Sequence, residues 1–322
     1  MLFVLEPAVG ERQDFMKRST FTIAVVCVGL AATMAKDMFI NTVFAGDSYS
    51  SEYTDISSIV LDIKSADVIF STGSGSEGVR VDVNDALNEI EMSGDGGVLR
   101  IEERSRKKGF LDVIGLSPKK KSTEIYITVP QDAGYEHIGV KMSSGSLRHL
   151  GGISANKLNM SVGSGSIVLD EMKVNESVQF DISSGKLSIN DCAIGDSLNG
   201  KIGSGSISAE ELDIGGGMDI KVSSGNIAGD RISVKGSAVM DLGSGNVNID
   251  DLSPGSSTKI EASSGNIAID LEGSEDDYSI SAKTGSGKVS LFDDITGREC
   301  NTGSGGKHIE IKGGSGNISV IV

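Results

Sequence analysis

The chain has no tryptophan, only 4 prolines, 3 cysteines and 3 histidines, and aromatic residues make up 4% of its 322 residues. The low proline content excludes a collagen-like or a proline-rich disordered chain. His137, His149 and His308 stand far apart in sequence, without the spacing of a zinc site. The net charge of −16 argues against a nucleic-acid partner, because phosphate contacts need clustered lysine and arginine.

Glycine is abundant, at 43 residues, and much of it recurs with a fixed period. Seven Ser-Gly pairs follow one another every 20 residues, and their glycines are Gly145, Gly165, Gly185, Gly205, Gly225, Gly245 and Gly265. This period is typical of stacked repeats and assigns residues 143–282 to seven units. We expect each glycine to adopt a positive φ angle or to allow close approach of neighbouring coils.

The repeat unit at residues 163–182 alternates apolar and polar residues in three short runs. The apolar residues are Ile167 and Leu169, then Met172 and Val174, then Val178, Phe180 and Ile182. Period-two alternation marks strands with one buried face. The next unit repeats these columns, except that Gly200 replaces Phe180. The sequence therefore predicts an all-β fold, a β-solenoid of the parallel β-helix type with about 20 residues and three short strands per coil.

The array departs from its period near the end of the chain, at Gly287, Gly305 and Gly316. We expect shorter turns at Gly305 and Gly316 to close the array. The final residues, Ile318–Val322, form an apolar run. Because an exposed coil edge invites strand pairing between chains, this run predicts end-to-end self-association.

A targeting signal is predicted before the β region. Lys17 and Arg18 precede a largely apolar stretch, and a signal-peptidase site fits Ala45 or, as the alternative, Ala35. Residues 1–45 are therefore interpreted as a signal peptide or an uncleaved N-terminal anchor, in which residues 1–15 are an over-extended start. We assign residues 46–142 to an N-terminal β region and solenoid cap, and residues 143–322 to the repeat solenoid. The expected location is extracytoplasmic: secreted, on the cell surface or anchored to the membrane.

Several motifs imitate chemical sites. Gly73, Gly75 and Gly78 match a dinucleotide fingerprint, but a strand-like VRVDV follows where a helix is needed. The string from Lys283 to Lys288 resembles a P-loop without its first glycine or its metal-binding hydroxyl. No histidine is placed to activate the repeated serines. We therefore predict no catalytic residue, no nucleotide cofactor and no enzymatic activity.

The two cysteines after the signal, Cys192 and Cys300, are predicted to be unpaired. In a solenoid they lie about five coils apart, which is roughly 24 Å at the usual strand spacing. This separation exceeds the limit of about 7 Å between the Cα atoms of a disulfide. Cys192 falls in an apolar column and is predicted to be part of the core.

An acidic column follows the first strand of each unit. Its members are Asp170, Asn190, Glu210, Asp230, Asp250 and Asp270, and Glu171, Asp191, Glu211 and Asp251 lie beside them. Stacking brings neighbouring carboxylates to about 4.8 Å, where like charges repel by roughly 0.9 kcal/mol per pair even in water. Two interpretations remain: a solvated acidic edge, or a ladder of Ca²⁺ sites on Asp170, Glu210, Asp230, Asp250 and Asp270.

The segment at residues 104–121 is basic and breaks the repeat. Its basic residues are Arg104, Arg106, Lys107, Lys108, Lys119, Lys120 and Lys121, and they flank an apolar centre. This pattern suits contact with an anionic membrane or envelope polymer. The alternative is a mobile hairpin excursion between two strands.

The chain resembles a bacterial adhesin domain family of unknown function. The resemblance rests on ISSIVLDIKSADVIF, on EIYITVP leading into IGVKMSSGSL, and on repeated SSGNI or GSGNV turns, and it covers roughly residues 55–322. It implies a β-solenoid outside the cytoplasmic membrane and supplies no catalytic residues. We expect a non-enzymatic surface protein that binds a surface polymer, or another protein, through its repetitive face. The alternatives are a structural or sensing component of the cell envelope and, third, a carbohydrate-active enzyme.

Overall fold

The computed structural model describes residues 39–43, 48–74, 77–105, 122–292 and 294–322. Its 24 strands belong to one hydrogen-bonded sheet that winds into a solenoid. One short 3₁₀ turn, Glu275–Asp277, is the only helical element of these residues. No helix in this part of the chain has the length and apolar character needed to span a membrane.

The strands fall into three groups along the chain. The N-terminal group contains β1 (Phe39–Val43), β2 (Tyr49–Tyr53), β3 (Ser58–Ile63), β4 (Asp67–Gly73), β5 (Val79–Asn84), β6 (Glu89–Asp95), β7 (Val98–Arg104), β8 (Glu124–Pro130), β9 (Gly134–Met142) and β10 (Ser146–Leu150). The central group contains β11 (Ser154–Asp170), β12 (Lys173–Ile194), β13 (Ser197–Ile214), β14 (Met218–Val234), β15 (Ser237–Ser244), β16 (Val247–Pro254), β17 (Ser257–Ser264) and β18 (Ile267–Leu271). The C-terminal group contains β19 (Tyr278–Ser286), β20 (Val289–Leu291), β21 (Asp294–Gly297), β22 (Glu299–Thr302), β23 (Lys307–Ser315) and β24 (Ile318–Ile321).

The central strands stack in parallel with a constant offset of 20 residues, so that Ile167 pairs with Leu187 and Leu187 with Ile207. Each 20-residue rung has three faces, which we name after one rung: face A (residues 166–170), face B (172–174) and face C (177–183). All seven apolar residues that the 163–182 pattern places inward are buried. The predicted all-β solenoid is confirmed, with its core inside the stack of rungs.

The glycine corner between face C and face A requires glycine for two independent reasons. The seven repeated glycines have φ between 103° and 154°, a conformation that side chains rarely adopt. A Cβ atom on Gly205 would also lie 1.8 Å from the carbonyl oxygen of Gly185 in the neighbouring rung. Both predicted causes therefore act together at this corner.

The corner between face A and face B is formed by one residue in the left-handed region. These residues are Glu171, Asp191, Glu211, Arg231 and Asp251, with φ between 48° and 54°. Four of the five are acids that the sequence placed beside the acidic column. Their side chains point away from the core because the corner exposes them.

The N-terminal end of the solenoid is closed by antiparallel strands. The rung formed by β3 and β4 is parallel to β9 and β10 on one side and to β7 and β8 on the other. Beyond β7 and β8 the partners are antiparallel: β6 and β1 on the face C side, and β5 and β2 on the face A side. β1 belongs to the stretch assigned to the signal, and the cleavage prediction itself is untested.

The corner at residues 64–66 lacks a preceding rung with a matching corner, and a buried carboxylate takes its place. In the next rung the corner N–H groups of Ser143 and Ser144 donate to carbonyls of residues 63 and 64. The N–H groups of Lys64, Ser65 and Ala66 instead donate to one oxygen of Glu103, at 2.7–3.0 Å. Glu103, the penultimate residue of β7, is fully buried.

The C-terminal end corrects the predicted order of the last rungs. β23 and β24 lie between the rung of β17 and β18 and the rung of β19 and β20. The glycine column therefore continues from Gly265 to Gly316 and then back to Gly287. Gly305 lies outside this column, in the loop before β23. The prediction that turns at Gly305 and Gly316 close the array was wrong.

The apolar run at Ile318–Val322 is consequently not the end of the stack. Ile318 and Val320 are buried in the core, and β24 is paired on both of its sides. Antiparallel β21 and β22 cover the outer side of β19 and β20 and close this end. The prediction of end-to-end association through this run was wrong, because the run is already occupied by two neighbouring rungs.

Candidate functional site: the groove along face C

The outer surface of face C carries two parallel columns of polar side chains. Residues that alternate with the buried ones point outward, and the offset of 20 residues stacks them rung upon rung. One column contains Asn159, Gln179, Asn199 and Asp219, and the other contains Ser161, Asp181, Lys201 and Lys221. We call the space between them the face C groove. It has a volume of about 500 Å³.

The floor of the groove is formed by the residues whose side chains enter the core: Val140, Met160, Phe180 and Gly200. Gly200 interrupts this buried column, as the sequence showed. The ring of Phe180 fills the space, since a Cβ atom on Gly200 would lie 2.3 Å from it. The groove therefore runs along the solenoid axis over a continuous backbone, and four stacked residues span about 14 Å at the normal strand spacing.

Charge along the second column is arranged unevenly. Beyond both ends of the groove the column contains close ion pairs, Lys141 with Asp62 at 2.8 Å and Lys312 with Glu261 at 3.6 Å. Within the groove, Lys201 and Lys221 are direct neighbours in the ladder. Lys221 contacts Asp219 at 3.8 Å, whereas Lys201 makes no ion pair with any residue that the structure describes. Two adjacent ammonium groups thus face the groove.

Asp219 adds an acceptor to the same wall. Its Oδ2 atom faces Lys221, while its Oδ1 atom is buried and has no hydrogen-bond partner within the described chain. A buried polar atom without a partner carries a desolvation cost. A donor group bound in the groove would remove that cost.

The acidic column is stacked as its spacing predicts, up to Asp250. Asp170, Asn190, Glu210, Asp230 and Asp250 are successive partners in the ladder. Asp270 departs from it, because the register shifts after Ile249 and its partner is Ile321. Arg231 neutralises the centre of the column by contacting Glu210, Glu211 and Asp230. In the described ranges no three acidic, histidine or cysteine side chains converge to hold a metal, and the calcium ladder stays an untested prediction.

Of the seven predicted basic contact residues, only Arg104 lies within the described residues. Its guanidinium contacts Glu91 and Glu102 on the neighbouring strands of the cap. The hydrogen bond that Arg104 donates to Glu102, together with the nearby carboxylates, raises the pKa of Arg104. Arg104 is thus committed to the cap surface. Arg106, Lys107, Lys108, Lys119, Lys120 and Lys121 lie outside the described residues, as does most of the proposed signal.

Both cysteines of the described chain are free. Cys192 is buried in the face B column, and burial raises the pKa of its thiol to about 11. The P-loop-like string forms a corner, where the hydroxyl of Thr284 donates to the carbonyl oxygen of Gly316 at 2.9 Å. His149 occupies a core position, with Nδ1 2.8 Å from the carbonyl oxygen of Asp170. Burial lowers the pKa of His149, and the Asp170 contact only partly opposes this effect.

An asparagine ladder at the glycine corner was missed from the sequence. Asn226, Asn246 and Asn266 follow the corner glycines, and each side-chain oxygen accepts the backbone N–H of the next asparagine. The ladder then passes to Asn317, 2.8 Å from Asn266, and ends on the N–H of Lys288 at 3.0 Å. The repeated SSGNI and GSGNV strings carried this signal, but only the stacking shows that the amides bond between rungs.

Comparison with known proteins gives a family and several distant structural likenesses. No curated protein matches the chain. A provisionally named cell adhesion protein from Clostridium sporogenes is 12% identical, with a TM-score of 0.27 over 88% of this chain and 97% of that one. A provisionally named adhesin from Bacteroides fragilis is 12% identical, with a TM-score of 0.30 over 89% and 98%. A provisionally named lipid-binding protein from Parabacteroides distasonis is 16% identical, with a TM-score of 0.24 over 88% and 94%.

The family model described as Toastrack DUF4097 matches residues 56–321, from the strands of the N-terminal cap to the last strand of the solenoid. The chain therefore belongs to the Toastrack DUF4097 family.

Proposed function

We propose that the protein is a non-enzymatic, adhesin-like binding protein that acts outside the cytoplasm and holds an extended polymer along face C. The observation that carries this proposal is the face C groove, in which the same kinds of side chain recur every rung. A polymer with repeating polar groups meets a repeating set of contacts there. Many weak contacts along one rigid surface give useful avidity without a deep pocket.

The chemistry of the groove favours a hydroxyl-rich polymer that also carries acidic groups, such as an acidic surface glycan. Amide side chains both donate and accept hydrogen bonds to hydroxyl groups. The orphaned acceptor of Asp219 matches a hydroxyl donor, and the adjacent ammonium groups of Lys201 and Lys221 match a carboxylate, sulfate or phosphate. Face A, by contrast, presents small residues such as Ser188 and Ser208 at the equivalent outward positions.

A binding measurement on glycan arrays and whole cells tests the location of the site. We expect the double variant Lys201→Gln, Lys221→Gln to lose at least about tenfold in apparent affinity, which corresponds to about 1.4 kcal/mol from two charge-assisted hydrogen bonds. The matched control is Lys173→Gln, Lys186→Gln, which removes the same charge from the other two faces of the array. Equal losses in both variants would show that net charge, and not the groove, governs binding.

The alternatives are weaker on the same observations. A carbohydrate-active enzyme needs a singular pair of acids in one cleft, whereas the acids here recur from rung to rung. A structural or sensing role in the envelope draws on the basic segment at 104–121, which lies almost wholly outside the described residues. Replacing its lysines and measuring binding to anionic vesicles would separate that role, since unchanged binding rejects membrane contact.

A further inference from the structure

The last rung along the chain is not the last rung in space. The strand pair formed by β23 and β24 fills a slot between two rungs that both precede it in sequence. We call residues 307–321 the inserted rung. Four residues, Gly303–Ser304–Gly305–Gly306, join it to the antiparallel cap at β22.

The slot holds the inserted rung by specific contacts on both sides. Ile309, Ile311, Ile318 and Val320 enter the core and are buried. Asn317 receives and passes on the asparagine ladder, from Asn266 to Lys288. On the outside of face C, Lys312 contacts Glu261 at 3.6 Å and Glu310 lies beside Lys259 in the ladder. Opposite charges thus match the inserted rung to the rung before it, while its other neighbour at this position is the like-charged Lys283.

The neighbouring rung resembles the inserted one closely. Residues 283–291 read KTGSGKVSL and residues 312–320 read KGGSGNISV, and the two segments stand side by side in register. Both carry the corner glycine and the same apolar columns. A slot that accepts this pattern therefore accepts any chain segment that presents it, provided that the segment is delivered as an extended strand pair.

We infer that the slot is an acceptor site for strand exchange, and that its partner is the inserted rung of a second copy of this chain. When the inserted rung leaves, two rung edges with unpaired N–H and C=O groups face each other across the vacated slot. The sequence that fits this opening best is the identical rung of another molecule. Short hinges favour such exchange of an identical element between copies, and the hinge here has four residues, three of them glycine.

This inference replaces the end-to-end contact that the sequence suggested. The antiparallel strands at both ends leave no parallel rung edge open in the described chain. Exchange instead links copies through the interior of the stack, and it is independent of what the face C groove binds. Linked copies would present two grooves to one polymer, which raises avidity without any new contact.

Mixed single-cysteine variants of the full chain test the exchange. One copy carries Lys259→Cys and the other Glu310→Cys, both in a Cys300→Ser background, with distinct mass tags. These positions are direct neighbours in the ladder, at a spacing that suits a disulfide. If segments exchange, the thiol introduced at position 310 of one copy lies beside the thiol introduced at position 259 of the other. Oxidation then gives a cross-linked dimer of unlike copies.

The matched control is a mixture of Asp219→Cys and Val239→Cys copies. These two positions are also direct neighbours on face C, but in rungs that no exchange separates. We expect at least about tenfold more mixed dimer from the 259 and 310 mixture than from the control. Equal or negligible yields in both mixtures overturn the inference, provided that each pair placed in one chain forms its internal disulfide and so proves the geometry.

Discussion

The buried carboxylate of Glu103 offers a direct test of how the solenoid ends. Three backbone N–H groups of the 64–66 corner donate to it, and the hydroxyl of Ser65 and the amide of Asn88 add two further hydrogen bonds. Glu103→Ala leaves three buried donors without an acceptor, at about 1–3 kcal/mol each, so we expect a loss of at least about 3 kcal/mol. Glu103→Gln keeps one oxygen for the backbone donors and should lose about half as much.

The pH dependence follows from the pKa of Glu103. Burial raises this pKa, but the hydrogen bonds from Asn88 and from the backbone of Ser65, Ala66 and Lys64 outweigh burial and lower it. A carboxyl whose folded pKa is depressed stabilises the fold above its unfolded pKa of about 4.3 and loses that contribution as pH falls through the folded value. The difference between the parent and Glu103→Ala should therefore be full at pH 7 and shrink below about pH 4.

Urea unfolding followed by circular dichroism, at neutral and acidic pH, measures this difference. The control is Glu102→Gln, the preceding residue, whose side chain is 49% exposed and pairs with Arg104. An exposed ion pair is worth about 1 kcal/mol or less, so the control should change little. A Glu103→Ala protein within about 0.5 kcal/mol of the parent would refute the capping role.

Three further predictions address the corner, the core and the acidic column. Gly205→Ala should lower stability by at least about 1–3 kcal/mol in thermal melting, because φ is 148° and the neighbouring carbonyl blocks a Cβ atom, whereas Gly134→Ala, with ordinary contacts, should be near neutral. Because burial lowers the pKa of His149, the parent should lose stability as pH falls below the unfolded pKa of about 6.5; melting at pH 7.5 and 5.5 should show this loss, and His149→Leu should not show it. Calcium should leave the melting temperature unchanged if Arg231 and solvent balance the acidic column, and a clear rise with calcium would establish a bound cation.

The interior of the fold was predictable from the sequence because its signal is local and repeated. Each rung must bury its apolar side chains, and a slip of one residue would expose them, so the pattern fixes the register. Ile167, Phe180 and Cys192 are buried as their columns predict. The corner glycines obey a conformational rule that acts within one residue and its neighbour, and they too follow from spacing alone.

The face C groove was only half visible in the sequence. The alternation predicted which residues point outward, yet the groove depends on which outward columns are polar and continuous across rungs. Asn159, Gln179 and Asn199 differ in identity or environment, and Lys201 and Lys221 are an ordinary pair until the ladder places them side by side. The orphaned oxygen of Asp219 depends on packing around one atom, which no pattern of residue types encodes.

The order of the C-terminal rungs could not be predicted because two segments satisfy the same columns. The 283–291 and 312–320 segments each offer a corner glycine and matching apolar residues, so the pattern allows either one to follow the rung of β17 and β18. What separates them is the hairpin: β20 turns back at Phe292, in the left-handed region, and pairs with β21. A rung whose outer edge is covered by its own hairpin fits at the end of the stack, where it removes an open edge. The later segment then has only the interior slot, and the same competition between two equivalent rungs is what makes exchange between copies possible.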